Sequence, residues 1–157
     1  VHFGDDAAAR VLARAVNDEG HRLVTANPER FGHLASLPLP DVAAAVEEIA
    51  RCDDDLAVDG FVLLTNVGAT YLGDPTLEPV FAELDRRGAR VVLHPTSPPC
   101  WERTSLGRPR PMLEFLFDTT RAVVDLVLSG TIARHPNLVT SRSQSAAIYR
   151  GRPSMES

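Results

Sequence analysis

Lysine is absent from this chain: all sixteen basic side chains are arginine. No Schiff-base lysine, lysine general base or carbamylated lysine bridge between metals can therefore come from it. Cysteine is scarce, with only Cys52 and Cys100, far apart and in no CxxC pair. Such usage fits a reducing compartment better than a disulfide scaffold, and a cytoplasmic location is expected. No apolar run approaches the roughly 18 residues of a membrane span, and no basic-then-apolar leader opens the sequence, so no membrane partner is expected. The net charge of −5 lacks the clustered positive field that neutralising phosphates requires, so no nucleic-acid partner is expected. A local basic pocket for an anionic substrate remains compatible with that charge. The sequence also has no GxGxxG, GxxxxGK[ST] or GxSxG stretch, and no HxH, HExxH or paired-cysteine spacing, so it holds no complete metal site by itself.

What is there reads as one globular domain. Hydrophobic residues make up 44% of the 157 and charged residues 24%, close to the globular average. Asp5 and Asp6 are N-cap candidates for a helix reaching about Thr25, with Val11, Leu12, Ala15 and Val16 at helical spacing. A strand is expected over residues 31–37, and Asp41 should cap a helix from Val42 to about Leu56. Phe61 to Leu64 and Arg90 to His94 are short continuous apolar runs of the kind buried on both faces in a parallel sheet. Asn66 to Asp74 reads as a loop, Pro75 as the first turn of a helix to about Arg87, and Gly88 as its cap. Pro95, Pro98, Pro99, Pro109 and Pro111 stiffen a long loop, which in a compact domain points to function or disorder. The longest helix is expected from Met112 to about Ala133, with Leu113, Leu116, Phe117, Val123, Val124, Val127 and Leu128 on a broad apolar face. Leu138 and Val139 would start a fourth strand. Strand–helix alternation gives an α/β fold with parallel βα repeats. The thirty-residue step from Phe61 to Val91 matches one βαβ unit but does not choose between a barrel and a doubly wound sheet.

Function in parallel α/β folds gathers at the C-terminal ends of the strands. Asn66 and His94 are the polar residues placed at those ends. His94 can be read as a ligand for a first-row divalent metal or as a structural histidine bonded to a loop carbonyl. Asn66 divides between a loop cap and a substrate contact. Trp101 and Phe3 could line a pocket for a planar acid or serve as packing, and Arg108 and Arg110 could attract a carboxylate or stand solvated. His2, His21, His33 and His135 fall in a loop, on a helix, in a strand and at a helix C-terminus, where the helix dipole alone favours an imidazole. The run Asp53–Asp55 lacks the glycine and closing glutamate of a calcium loop and reads as a solvated helix end.

Several segments together resemble the amidohydrolase-related metal-dependent (β/α)8-barrel family. They are residues 1–6, 27–32 with 37–41, 59–66, 71–75, 91–99 and 113–122, in order and with matching spacing. The likeness is nearest to the branch of 2-amino-3-carboxymuconate semialdehyde and resorcylate decarboxylases. It implies part of a TIM-like barrel of about three to four βα units over residues 1–138. It also implies one divalent metal, zinc or manganese, bound in the intact family by a first-strand HxH pair, a middle-strand histidine and a last-strand aspartate. His94, followed by Pro95-Thr96-Ser97, matches the middle-strand ligand. The implied substrate is a small unsaturated or aromatic carboxylic acid, decarboxylated without oxidation.

The departures matter as much as the matches. The first-strand pair would lie before Val1 and the last-strand aspartate after Ser157. The family's acid/base histidine should fall near Arg142 or Gln144, and an arginine stays charged and cannot shuttle a proton near neutral pH. Residues 139–157 form a divergent, poorly ordered tail by composition, its last eighteen residues holding five serines and three arginines. The expectation is a fragment of a metal-dependent carboxy-lyase, inactive alone and possessing no metal of its own. One alternative is a non-catalytic barrel remnant that associates with itself or another chain. The other is an amidohydrolase-type hydrolase, since the residues alone leave both reactions open. A truncated gene product or a shifted reading frame near Val139 would explain the tail; genomic DNA should then show an upstream in-frame HxH and an alternate-frame His-x-Gly-Gly downstream.

Overall fold

The first helix starts where an aspartate can satisfy its free N–H groups. Asp5 is extended and its carboxylate accepts from the Ala8 amide at 3.0 Å, opening α1 (Asp6–Ala26). Asp41 does the same for α2 (Val42–Asp54), accepting from Ala44 at 3.1 Å. The structure, a computed structural model, describes residues 4–142. Between these helices lies β1 (Leu34–Ser36), shorter than the expected strand because residues 27–31 turn on the Asn27 carbonyl. Gly60–Leu64 forms β2, Arg90–His94 forms β5 and Val139–Arg142 forms β6. They align in the order β1-β2-β5-β6, every pairing parallel, with Leu64 opposite His94 and Leu93 opposite Arg142. Of the expected tail, residues 139–142 thus continue the sheet, and the rest lies outside the described residues.

Side chains alternate across a strand, so one set faces the helices. Ala35, Phe61, Leu63, Val91 and Leu93 pack with Ile49 of α2, Phe81 and Leu84 of α3 (Glu78–Arg86), and Leu126 of α5 (Glu114–Leu128). The alternate residues Val62 and Leu64 are half-buried and His94 is exposed. Burying the packed set, at roughly 25 cal/mol per Å² of apolar surface, is the main force holding helices to sheet.

Local chemistry altered several expectations. The segment after β2 is a small hairpin, β3 (Asn66–Val67) with β4 (Thr70–Tyr71), turning through Gly68 and Ala69 at positive φ. Asp74 caps a 3-10 turn at Pro75–Leu77 before α3 begins. The long proline loop contains a single helical turn, α4 (Trp101–Thr104). The helix expected to 133 breaks at Gly130 (φ 76°), leaving α5 and the short α6 (Thr131–Arg134), so α1, with 21 residues, is the longest. Asp53 and Asp54 are not simply solvated: both accept from Arg87 Nη1, at 2.6 and 2.8 Å, tying α2 to the end of α3. His135 stacks on Phe81 and faces Glu78 Oε1 at 2.9 Å.

Two helices bury an unexpected face. In α1 the inward residues are Ala9, Ala13 and Asn17, while Val11, Leu12 and Val16 point outward. Small side chains let α1 lie close, and Asn17 then reaches Ser36 O at 2.9 Å, Glu48 Oε1 at 2.8 Å and Cys52 Sγ at 3.3 Å. In α5 the inward residues are Glu114, Asp118, Thr119, Ala122 and Leu126, whereas Phe117 and Leu128 are 64% and 82% exposed. Cys52 is fully buried and its thiol is pushed up to about 12, chiefly by that burial; Cys100 is partly exposed.

His33, just before β1, packs its ring where α1 offers only Gly20, and its Nδ1 is buried with no hydrogen-bond partner. Burial, with His21 adding repulsion, holds this imidazole below its ordinary 6.5. The stability this represents is complete above pH 6.5 and is lost as pH falls toward the lowered folded value. Urea midpoints should therefore drop between about pH 7.5 and 5.5, and His33→Phe should flatten that drop. An unchanged slope in the variant would show that other groups carry it.

Candidate active site

At the C-terminal ends of β2 and β5 the chain builds around one carboxylate. Asp118, on the inward face of α5, is 0% exposed. Its Oδ2 accepts from Thr65 Oγ1 at 2.6 Å and Asn66 Nδ2 at 2.8 Å. Its Oδ1 accepts from Tyr71 Oη at 2.6 Å and Arg121 Nη1 at 2.7 Å. Four donors, one of them cationic, replace the water this group loses on burial. Arg121 also donates to Tyr71 Oη at 3.1 Å, and burial with Asp118 beside it raises the Tyr71 phenol above its ordinary 10.0.

The arrangement extends to the neighbouring strand end. The Thr65 amide donates to the His94 carbonyl at 3.1 Å, and Thr65 Oγ1 accepts from the Thr96 amide at 3.1 Å. Asn66 Nδ2 also donates to the Ser97 carbonyl at 3.2 Å. The segment from His94 to Ser97 is thereby fixed on both sides of Pro95. His94 itself is exposed, and its Nδ1 lies 2.9 Å from the Pro95 carbonyl oxygen. With Nδ1–H donated there, the lone pair sits on Nε2, the tautomer a metal-binding imidazole needs. That atom suits a metal as one donor, although among the described residues no group of three or more histidine, cysteine or acidic side chains could complete a site.

Beside this strand end lies a cavity of about 320 Å³, lined by Leu64, Asn66, Ser97, Pro98, Trp101 and Arg110 among others. It brings together Asn66 and Trp101, the two substrate contacts expected from sequence, and adjoins His94 through Leu64, its register partner. Asn66 is largely committed to Asp118 and Ser97. Trp101 has the Arg110 guanidinium carbon 4.7 Å from its ring centroid. Arg108 is exposed and does not line the cavity. Phe3 and Gln144 lie outside the described residues; the backbone of Arg142 ends β6 opposite Leu93, one position before His94. A second cavity of about 420 Å³, mostly apolar, lies between α1 and the start of β1, away from these strand ends.

Sequence reasoning missed Thr65, Tyr71, Asp118 and Arg121 as a unit. The signal available was indirect: all four lie in the segments 59–66, 71–75 and 113–122, which carried the family likeness.

Residues 2–140 match the family model described as Amidohydrolase. A 6-methylsalicylic acid decarboxylase of Aspergillus aculeatus is 40% identical over 134 residues, covering 83% of this chain and 41% of that one. The chain thus spans about two-fifths of the length of that curated relative. The solved structure of a 2,6-dihydroxybenzoate decarboxylase in complex with 2,6-dihydroxybenzoate superimposes with a TM-score of 0.80 at 31% identity, over 89% of this chain and 46% of that one. A dihydroxybenzoic acid decarboxylase from a Polaromonas species, solved with manganese and 2-nitroresorcinol, gives a TM-score of 0.81 at 25% identity, over 89% and 45%.

The Asp118 cluster makes a direct demand. Asp118→Asn places an amide N–H₂ among four donors and should cost about 3 kcal/mol of stability. Tyr71→Phe, which removes one donor of four, should cost only about 1 kcal/mol. Denaturant unfolding of both variants measures the difference; equal losses would mean that the carboxylate charge is not what organises the site.

Proposed function

Because the chain belongs to the amidohydrolase family, with the parallel α/β architecture of part of its barrel, we propose that it is a portion of a metal-dependent decarboxylase acting without oxidation on a small aromatic acid. The observation that carries this reading is the placement of His94. It ends an inner parallel strand on its C-terminal side, opposite Leu64, which lines a cavity together with Asn66 and Trp101. Function in such folds gathers at this end of the sheet. The relatives of known activity compared above are decarboxylases of aromatic acids, which favours carboxyl removal over the hydrolytic alternative.

His94 Nε2 would hold the divalent ion, zinc or manganese, while the bond to the Pro95 carbonyl orients the ring. A bound divalent metal would supply Lewis-acid polarisation of substrate oxygens. Asn66, held by Asp118, keeps the cavity wall in place rather than turning toward solvent. Trp101 with Pro98 offers the flat apolar surface that an aromatic ring needs. The position of proton return, expected near Arg142 or Gln144, has no titrating residue suited to it, and one imidazole does not make a closed metal site. The isolated chain is therefore inactive in this reading.

A second reading has its own support. The outward apolar residues of α5, among them Phe117, Val127 and Leu128, resemble a surface meant for another protein element. This favours a remnant that associates with itself or with a complementary chain.

The two part company on metal and carbon dioxide. The chain completed at both ends with the flanking barrel segments of a related decarboxylase should release carbon dioxide from 2,6-dihydroxybenzoate with stoichiometric manganese or zinc. His94→Ala in that completed barrel should reduce the rate by about 100-fold or more, with loss of metal. Full activity with alanine at 94 would sink the role given to this imidazole, and metal-free oligomers would favour the remnant.

A further inference from the structure

We propose that Arg110 is the specificity-determining residue of the cavity beside His94, selecting the carboxylate form of an aromatic acid, with Ser97 Oγ taking a ring hydroxyl. The inference rests on the aromatic-acid reading above and names the chain's own groups that would recognise such a molecule.

Several arginines of the fold are neutralised: Arg51, Arg87 and Arg121 pair with carboxylates at 2.6 to 2.7 Å. Arg110 has no carboxylate partner among the described residues. It lies instead over the face of Trp101, its guanidinium carbon 4.7 Å from the ring centroid, within the cavity wall. Pro109 and Pro111 flank it, and it begins a 3-10 turn, so its backbone is held without help from the side chain. The cation–π contact orients the planar group but satisfies none of its five N–H donors, which remain for a planar anion. A carboxylate is the group that fits such a fork in two parallel bonds.

A second, independent observation lies in the lining of the same cavity. Ser97 Oγ is buried and has no hydrogen-bond partner, while its own carbonyl is engaged by Asn66. A buried hydroxyl without a partner is costly in a folded protein and points to a ligand group that supplies one. The same cavity is lined by Leu64, Val67 and Pro98, apolar contacts suited to a ring. Cation, flat apolar wall and lone hydroxyl together describe a hydroxylated aromatic acid better than an aliphatic or a neutral aromatic compound. Arg110 is exposed at the cavity rim, so it acts on binding and selection rather than on the bond that breaks.

Trp101 is the only tryptophan, so the chain has one indole N–H resonance, and that resonance belongs to the cavity. Titrating the ¹⁵N-labelled chain with 2,6-dihydroxybenzoate and with resorcinol, the same ring without its carboxyl, separates charge recognition from ring binding. The carboxylate should bind roughly tenfold more tightly than resorcinol. Arg110→Gln should abolish that preference, and Arg108→Gln, two residues away and off the cavity wall, should keep it. Ser97→Ala should weaken both compounds together. Equal carboxylate preference in wild type and Arg110→Gln would overturn this inference alone. An indole signal that neither compound moves would overturn both the inference and the aromatic-acid reading.

Discussion

A negative charge sealed from water obliges its surroundings to stay in place. Asp118 imposes this condition on the upper end of the sheet. An uncompensated carboxylate in such a setting costs several kcal/mol, so its donors cannot drift without loss. Two of them, Thr65 and Asn66, leave the end of β2; one, Tyr71, comes from the hairpin; Arg121 comes from the same helix one turn later. Thr65 passes the constraint on through its bonds to the His94 carbonyl and the Thr96 amide. The direction in which the β5 end points is therefore decided by a residue of α5 that touches neither His94 nor the cavity.

How far the sequence could be read follows from the range of the forces involved. Helix starts were legible because Asp5 and Asp41 act within three residues of themselves. β2 and β5 were legible because their apolar runs are too short for helices and end at turn residues. His94 could be placed at a strand end from periodicity, and its kinship to a metal ligand from the segment around it. The cluster at Asp118 was not legible, since three of its four donors lie 47 to 53 residues away in sequence. A lone aspartate in the run Phe117-Asp118-Thr119 gives no local sign that it is buried.

The inverted faces of α1 and α5 show where pattern reading misleads. Apolar residues at helical spacing mark the packed side when transfer from water is the only term. In α5 the sheet side is claimed by specific bonds: Glu114 receives Thr104 Oγ1 at 3.0 Å, Asp118 gathers its four donors, and Asp125 receives the Gly73 amide at 2.7 Å. Gly73 leaves no room for a side chain there, since a Cβ would fall against the Asp125 carboxylate. The valines, leucines and phenylalanine are left for the opposite side. In α1 the same outcome has a different cause: alanines allow close approach and Asn17 bonds with the edge strand.

The contrast between the two thiols has a practical corollary. Cys52, enclosed beside Glu48 with its proton held tightly, is a poor nucleophile toward alkylating or oxidising reagents. Cys100 is partly exposed and directly precedes Trp101. The native fold thus directs maleimide chemistry to one position, next to the indole. A probe attached there would report on the proline-rich loop in the unaltered sequence, with no cysteine to remove and none to add.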